Sequence, residues 1–172
     1  MTIFDHRLSV CVLVALFAAA GAQGAVLPWT SFLDGAQEVP AVPTPATGTG
    51  IGTYDTDTNL ITWTISFVDL VAPMTNSHFH GPAAPGVSAG VQVPIPFTAG
   101  VMADTLIDSA TITDAQEAQL LAGLWYINIH SEFRPGGEIR GQVNVVPEPG
   151  TYALFGGAIA ALAIFRLRKK SA

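Results

Sequence analysis

The chain has 172 residues, 49% of them hydrophobic, and a formal net charge of −6 at neutral pH. This acidic balance excludes nucleic acid as a partner, because binding to phosphates requires a basic surface. The single cysteine, Cys11, excludes a domain held together by intrachain disulfides, so the fold must be stabilised by packing.

The first 24 residues have the pattern of a secretory signal peptide. Arg7 supplies the positive charge, and a nearly unbroken apolar run follows at 8–20. This run is too short to cross a bilayer comfortably as a permanent helix. The small residues at 20–24 suit cleavage by a signal peptidase. We therefore expect residues 1–24 to form a signal helix that is removed during export.

Short alternating runs in the segment 25–145 predict β-strands. The clearest is 60–68, where four large apolar residues alternate with Thr and Ser, as in a strand with one buried face. The polar stretch 55–59 separates it from 48–54, so we predict a β-hairpin. Further strands are predicted at 29–33, 78–80, 91–93, 105–112, 124–130 and 138–145.

One helix is predicted at 114–122. Thr113 can cap its first turn, Gln116 completes a capping box, and Gly123 follows the last turn. Many short strands with turn signals between them are typical of a sandwich or barrel. We therefore predict an all-β fold: an antiparallel β-sandwich or barrel-like domain with one short helix. An N-terminal signal helix and a C-terminal transmembrane helix should flank it.

Residues 146–172 have a different pattern, which predicts a membrane-sorting tail. Two prolines interrupt the last strand, and an uncharged apolar stretch follows at 152–165. A helix of about 14 residues covers roughly 21 Å, so it spans a bilayer only with snorkelling or local thinning. The closing basic cluster should stay cytoplasmic, which leaves the domain outside. The relevant residues are Val146, Pro147, Glu148 and Pro149, then Arg166, Arg168, Lys169 and Lys170.

This order of Val-Pro-Glu-Pro, short apolar helix and terminal basic cluster resembles the PEP-CTERM sorting signal of Gram-negative bacteria. The resemblance implies processing by an exosortase-type enzyme and transient anchoring in the inner membrane, with the domain on the periplasmic side. It also implies a later location at the cell surface or in the extracellular matrix, in association with exopolysaccharide. A plain C-terminal membrane anchor is the alternative interpretation.

The segment before the tail resembles the CHRD domain, named from repeats in the animal protein chordin. Three motifs carry the likeness: Leu-Asp-Gly-Ala-Gln-Glu-Val-Pro at 33–40, His-Phe-His-Gly-Pro-Ala at 78–83, and Trp-Tyr-Ile-Asn-Ile-His at 125–130. The last leads into Pro-Gly-Gly-Glu-Ile-Arg-Gly-Gln at 135–142. The family brings no assigned activity, and chordin's growth-factor binding is not expected of a bacterial envelope protein.

Three histidines lie inside these motifs and form a candidate metal site. His78 and His80 share one face of a strand, because side chains alternate. His130 lies opposite the apolar residues of its own strand, and a hairpin pairing residue 131 with 137 would place it beside Glu138. Imidazoles at this spacing suit copper or zinc, with Glu138 ligating the metal or orienting His130. The alternative is a polar sheet face without a ligand.

Two functional hypotheses follow. The first is a non-enzymatic module of the cell envelope with a binding or structural role. The second is a metal-binding protein, redox-active in one form of the hypothesis, that uses the three histidines. Coordinates discriminate between them: ring nitrogens within roughly 4 Å of a common point favour a metal, whereas separation beyond about 10 Å excludes one.

Overall fold

The computed structural model describes residues 24–146 of the chain. The predicted signal helix and the sorting tail beyond Val146 lie outside this range. Within it, one α-helix, α1 (Asp114–Leu121), and a 3-10 helix (Gly35–Gln37) accompany nine strands. These are β1 (Val26–Asp34), β2 (Thr47–Asp55), β3 (Leu60–Val68), β4 (Met74–His80), β5 (Val91–Pro94), β6 (Asp104–Thr111), β7 (Tyr126–Ser131), β8 (Ile139–Gln142) and β9 (Asn144–Val145).

The strands form a single antiparallel sheet that curls into a nearly closed, barrel-like shape. Its order is β5-β4-β7-β8-β1-β2-β3-β6, and β9 pairs with β1 beside β8. The prediction of an all-β antiparallel domain with one short helix is therefore confirmed. No helix among residues 24–146 is both long and apolar enough to cross a bilayer.

The predicted hairpin is the most regular part of the sheet. β2 and β3 pair without interruption from Thr47–Val68 to Asp55–Leu60. In the turn, the Asp55 carboxylate accepts hydrogen bonds from the backbone N–H groups of Asp57 and Thr58, at 2.8 and 3.2 Å. Asn59 closes the turn with a φ of 55°, a left-handed conformation that asparagine tolerates.

Aromatic side chains on the inner face of the sheet fill the core. Phe79 lies at their centre, with its ring centroid 6.0 Å from Trp29, 5.2 Å from Trp63 and 5.9 Å from Trp125. Edge-to-face contacts of this kind add to the gain from burial. Because Phe79 is the central residue of His-Phe-His, the core directs both neighbouring histidines to the other face of β4.

The helix begins as predicted. Thr113 accepts a hydrogen bond from the backbone of Gln116, and the Gln116 side chain accepts one from the backbone N–H of Thr113. Leu120 is buried, and Gly123 follows with a φ of 70°, which suits a helix C-terminus. The Gln116 amide also bonds to the backbone of Gln92, so the helix is tied to the edge strand β5.

Two details differ from the predicted elements. The single strand predicted at 138–145 is divided into β8 and β9, because the chain changes partner: Tyr126 of β7 pairs with Gln142, whereas β1 pairs with Asn144 and Val145. The 3-10 helix after β1 was not predicted. It forms because the Asp34 carboxylate accepts a hydrogen bond from the backbone N–H of Gln37 at 2.9 Å.

Candidate metal centre

The neighbouring strands β4, β7 and β8 bury side chains on both of their faces. On β7 all six residues are buried, although only alternate ones point into the aromatic core. The others, Tyr126, Asn128 and His130, lie on the opposite face together with residues of β4 and β8. Loops cover this second face, which is polar. We call it the polar face.

The strand register places the polar residues side by side. Asn128 is paired with His78 on one side and with Arg140 on the other, and Tyr126 is paired with His80 and Gln142. The pairings of Asn128 with Arg140 and of Tyr126 with Gln142 follow the register of the predicted hairpin, in which residue 131 pairs with 137. His130 is paired with Asn76, two residues before His78, so His130 and His78 are diagonal neighbours on this face.

The three histidines converge on one point. One ring nitrogen from each of His78, His80 and His130 lies within 4.8 Å of the others. Nδ1 of His78 is 3.3 Å from Nε2 of His130, and the ring centroids are 5.3 to 6.0 Å apart. This arrangement satisfies the separation that we set as the criterion for a metal site.

Backbone carbonyls fix two of the imidazoles. Nδ1 of His80 lies 2.9 Å from the carbonyl oxygen of Ala89, and Nδ1 of His130 lies 2.9 Å from that of Pro135. Because a carbonyl only accepts, each Nδ1 carries the hydrogen and each Nε2 keeps its lone pair. The lone pair of His130 Nε2 lies within hydrogen-bond distance of Nδ1 of His78. Nε2 of His80 is buried and has no hydrogen-bond partner within the described residues.

The surroundings keep the imidazoles neutral. Burial is the main cause that lowers the pKa of all three histidines. The charges of His130 and His80 lower the pKa of His78 further, whereas the Ala89 and Pro135 carbonyls oppose the effect at the other two rings. A neutral imidazole is the form that coordinates a metal.

Glu138, the fourth predicted residue, lies outside this group. It is fully buried, and its carboxylate accepts hydrogen bonds from the Thr44 hydroxyl at 2.6 Å, the Val71 backbone N–H at 2.9 Å and the Ser131 hydroxyl. Its oxygens are therefore held by three other groups, and they are not among the atoms that converge with the histidine nitrogens. Since Ser131 follows His130 directly, the remaining part of the prediction is an orienting role for Glu138.

Arg140 was missed as part of the site. Its guanidinium carbon lies 3.5 Å from the centroid of the Tyr126 ring, and Tyr126 stacks on His80 with a centroid distance of 5.0 Å and an interplanar angle of 11°. Arg140 is 2% exposed and donates from Nη2 to the carbonyl of Val87 at 2.8 Å. The sequence offered one signal. In the predicted hairpin Arg140 pairs with Asn128, which lies on the same face of its strand as His130.

The loop at 81–90 is held over the polar face by side chains of the face itself. Gln142 donates to the carbonyl of Ala83, and Arg140 donates to that of Val87. Tyr126 accepts from the N–H of Ala89 at 3.0 Å, while the carbonyl of Ala89 receives the His80 hydrogen bond. The position of His80 is therefore linked to the position of the loop.

Glu38 was also missed. Burial raises the pKa of its carboxyl to about 7, against the opposing effects of the Arg140 charge and of hydrogen bonds from Val39 and Asn128. Oε1 of Glu38 and Oδ1 of Asn128 are both buried without a donor among the described residues. Protonation of Glu38, which its raised pKa favours, adds one O–H donor at this position.

The predicted sorting residues cannot be placed in the same way. Val146 is the last described residue, and its backbone N–H donates to the carbonyl of Pro28 at 2.8 Å. The positions from Pro147 to the terminal basic cluster lie outside the described residues.

Comparison with known families gives two matches. The model of the CHRD domain matches residues 29–143, which include all three histidines. The model of the PEP-CTERM protein-sorting motif matches residues 145–169. No curated protein and no solved structure matches the chain.

Proposed function

This chain belongs to the CHRD domain family, and from its histidine cluster we propose that it is an exported protein whose β domain binds a copper or zinc ion. Its sorting motif implies that an exosortase-type enzyme processes it. The proposal joins the two earlier hypotheses, because metal binding is the binding role of the envelope module. It requires no enzymatic step.

The observation that carries the proposal is the convergence of three imidazole nitrogens. Metal–nitrogen bonds of about 2.0–2.1 Å at tetrahedral angles place neighbouring ligand nitrogens about 3.3 Å apart. The His78–His130 separation is 3.3 Å, and His80 reaches the same point by a small closing movement. Hydrogen bonds from the other ring nitrogens to backbone carbonyls are the outer-shell contacts that usually orient metal-binding histidines.

The cost of the arrangement also supports the proposal. A buried polar atom without a partner destabilises a fold by about 1–3 kcal/mol, and Nε2 of His80 is such an atom. A purely structural polar face gains nothing from leaving this atom without a partner beside two other imidazole rings. A bound metal ion supplies the missing partner.

The finer location stays a prediction: a membrane anchor at 152–165, a periplasmic domain, and then exposure at the cell surface near exopolysaccharide. Its support is the geometry of the chain ends. The chain leaves the sheet beside Pro28, whereas Arg140, in the row of His78, pairs with Asp34 at the far end of β1. Six residues of strand separate these two positions on β1 by roughly 20 Å, so the site lies far from Val146, the last described residue.

Metal analysis of the exported protein tests the metal proposal. We expect one equivalent of copper or zinc per chain after loading and desalting, and at least a hundredfold weaker binding in His80→Ala and His130→Ala. Asn144→Ala, a change of an exposed side chain on β9, is the matched control and should bind as the wild type does. Less than a tenth of an equivalent in the folded wild-type protein would overturn the proposal.

The sorting proposal has a separate test. We expect the double change Pro147→Ala and Pro149→Ala to leave an uncleaved, membrane-bound form, detected by mass spectrometry of membrane fractions. A mature mass and location identical to those of the wild type would count against exosortase processing.

A further inference from the structure

We propose that the site selects copper over zinc and holds it as Cu(I), because the buried guanidinium of Arg140 disfavours each further positive charge on the bound ion. This inference rests on the metal site proposed above and deepens it by naming the ion.

The first step is the position of Arg140. The strand order β4-β7-β8 places Tyr126 between His80 and Arg140. Arg140 lies over the Tyr126 ring at 3.5 Å, and Tyr126 stacks nearly parallel on His80 at 5.0 Å. One stacked ring, that of Tyr126, therefore separates a permanent positive charge from a metal-ligating ring.

The second step is the lack of compensating negative charge. The convergent group among the described residues contains three neutral imidazoles and no carboxylate. The Glu138 carboxylate is occupied by Thr44, Val71 and Ser131. Glu38 faces Arg140, but burial raises its pKa to about 7, so at neutral pH it compensates Arg140 only in part. An ion of charge +2 is therefore held beside a buried cation without an anionic ligand.

The third step is coordination number. Structural and catalytic zinc sites take four ligands, three of them from protein in the catalytic type. Cu(I) is a closed-shell ion that is stable with three nitrogen ligands in a plane, and trigonal bonds of about 2.0 Å place ligand nitrogens about 3.5 Å apart. The three imidazoles supply such a set, and the described part of the chain adds no fourth ligand to the group.

The test measures ion preference in the full exported protein. Cu(I) affinity is measured anaerobically against the chelator bicinchoninate, Zn(II) affinity against a chromogenic zinc chelator, and the Cu(II)/Cu(I) potential at an electrode. The potential is decisive, because Cu(II) binds more tightly than Zn(II) to most sites with nitrogen ligands, whatever their design. We expect Cu(I) to bind at least a thousandfold more tightly than Zn(II), and a potential above that of aqueous copper.

Three variants assign the effect to charge. Arg140→Gln removes the cation and should lower the potential by about 59 mV, a tenfold change for one electron. Arg140→Lys keeps the charge and should retain most of the wild-type potential. Glu38→Gln removes the compensating carboxylate and should raise the potential at pH 8, which keeps the test informative if Arg140→Gln does not fold.

Each outcome decides the matter. Zn(II) bound as tightly as Cu(I), or a potential below that of aqueous copper, would overturn the preference for Cu(I) and leave the metal site standing. A potential that is the same in folded Arg140→Gln and wild type would remove Arg140 as the cause. Failure to bind either ion would overturn the proposed function itself.

Discussion

Strands β3 and β7 lie in the same sheet but bury their side chains differently. In β3 the core residues Ile61 and Ile65 are fully buried, and the Thr and Ser residues between buried positions are partly exposed. In β7 the core residues Ile127 and Ile129 are equally buried, yet His130, on the other face, is only 9% exposed. β3 therefore has one face partly exposed to solvent, whereas β7 is buried on both faces.

This difference shows where the fold buries polar groups at a cost in stability. Burial of an apolar side chain stabilises the domain, whereas burial of a polar or charged group costs free energy unless its hydrogen bonds are made. The polar face buries Arg140, and none of residues 24–146 donates to Nε2 of His80, Oε1 of Glu38 or Oδ1 of Asn128. Such unsatisfied groups are uncommon in native proteins and call for a reason. A ligand site supplies one.

The largest effect should come from the shared core. Phe79→Ala removes the ring that contacts Trp29, Trp63 and Trp125 and leaves a cavity between them. We expect a loss of about 4 kcal/mol in the free energy of unfolding, measured by urea denaturation.

Its control lies on the solvent side of the barrel. Ile107 on β6 is 72% exposed, so Ile107→Ala should change the free energy of unfolding by less than about 0.5 kcal/mol. Equal losses at Phe79 and Ile107 would contradict the assignment of inner and outer faces.

The next effect should come from Glu138, which separates an orienting role from a ligating one. Glu138→Ala leaves three buried donors without their acceptor and should destabilise the domain by about 3 kcal/mol. Glu138→Gln keeps the shape and one acceptor, so we expect a smaller loss of stability and a metal affinity within tenfold of the wild type. A hundredfold loss of metal affinity in folded Glu138→Gln would show that the carboxylate is a ligand.

Much of the fold could be predicted from local patterns. Alternation in 60–68 identified β3, and the polar turn before it identified the hairpin, because a half-buried strand and a tight turn both leave a short-range signature. The capping box at Thr113 is equally local. The register of β7 against β8 followed from one assumed pairing, since side-chain parity then determines the rest.

The candidate site could be predicted only in part, because its geometry is long-range. Parity placed His78, His80 and His130 on the faces opposite the core, but the separation of β4 and β7 depends on the path of the long intervening chain, 81–125. The roles of Arg140 and Glu38 depend on the loop cover of the polar face. The residues at 81–90 show no periodic pattern that predicts this loop cover, because the loop makes these contacts through its backbone carbonyls.

The smallest effect, on Glu38, tests whether the polar face is buried as tightly as β7 suggests. Its pKa rises from 4.5 in the unfolded chain to about 7 in the fold, chiefly by burial. The folded state thus favours the protonated acid, so this group's contribution to stability is complete below pH 4.5 and is lost as pH rises through 7. Glu38→Gln, a permanently neutral analogue, should match the wild type at pH 4. At pH 8 it should be more stable by about 1–2 kcal/mol, allowing for solvent screening at the edge of the loop. Comparison of the two proteins at each pH cancels the titration of the histidines. Denaturation midpoints that differ by the same amount at pH 4 and at pH 8 would mean that Glu38 is solvated like the side chains on the outer face of β3.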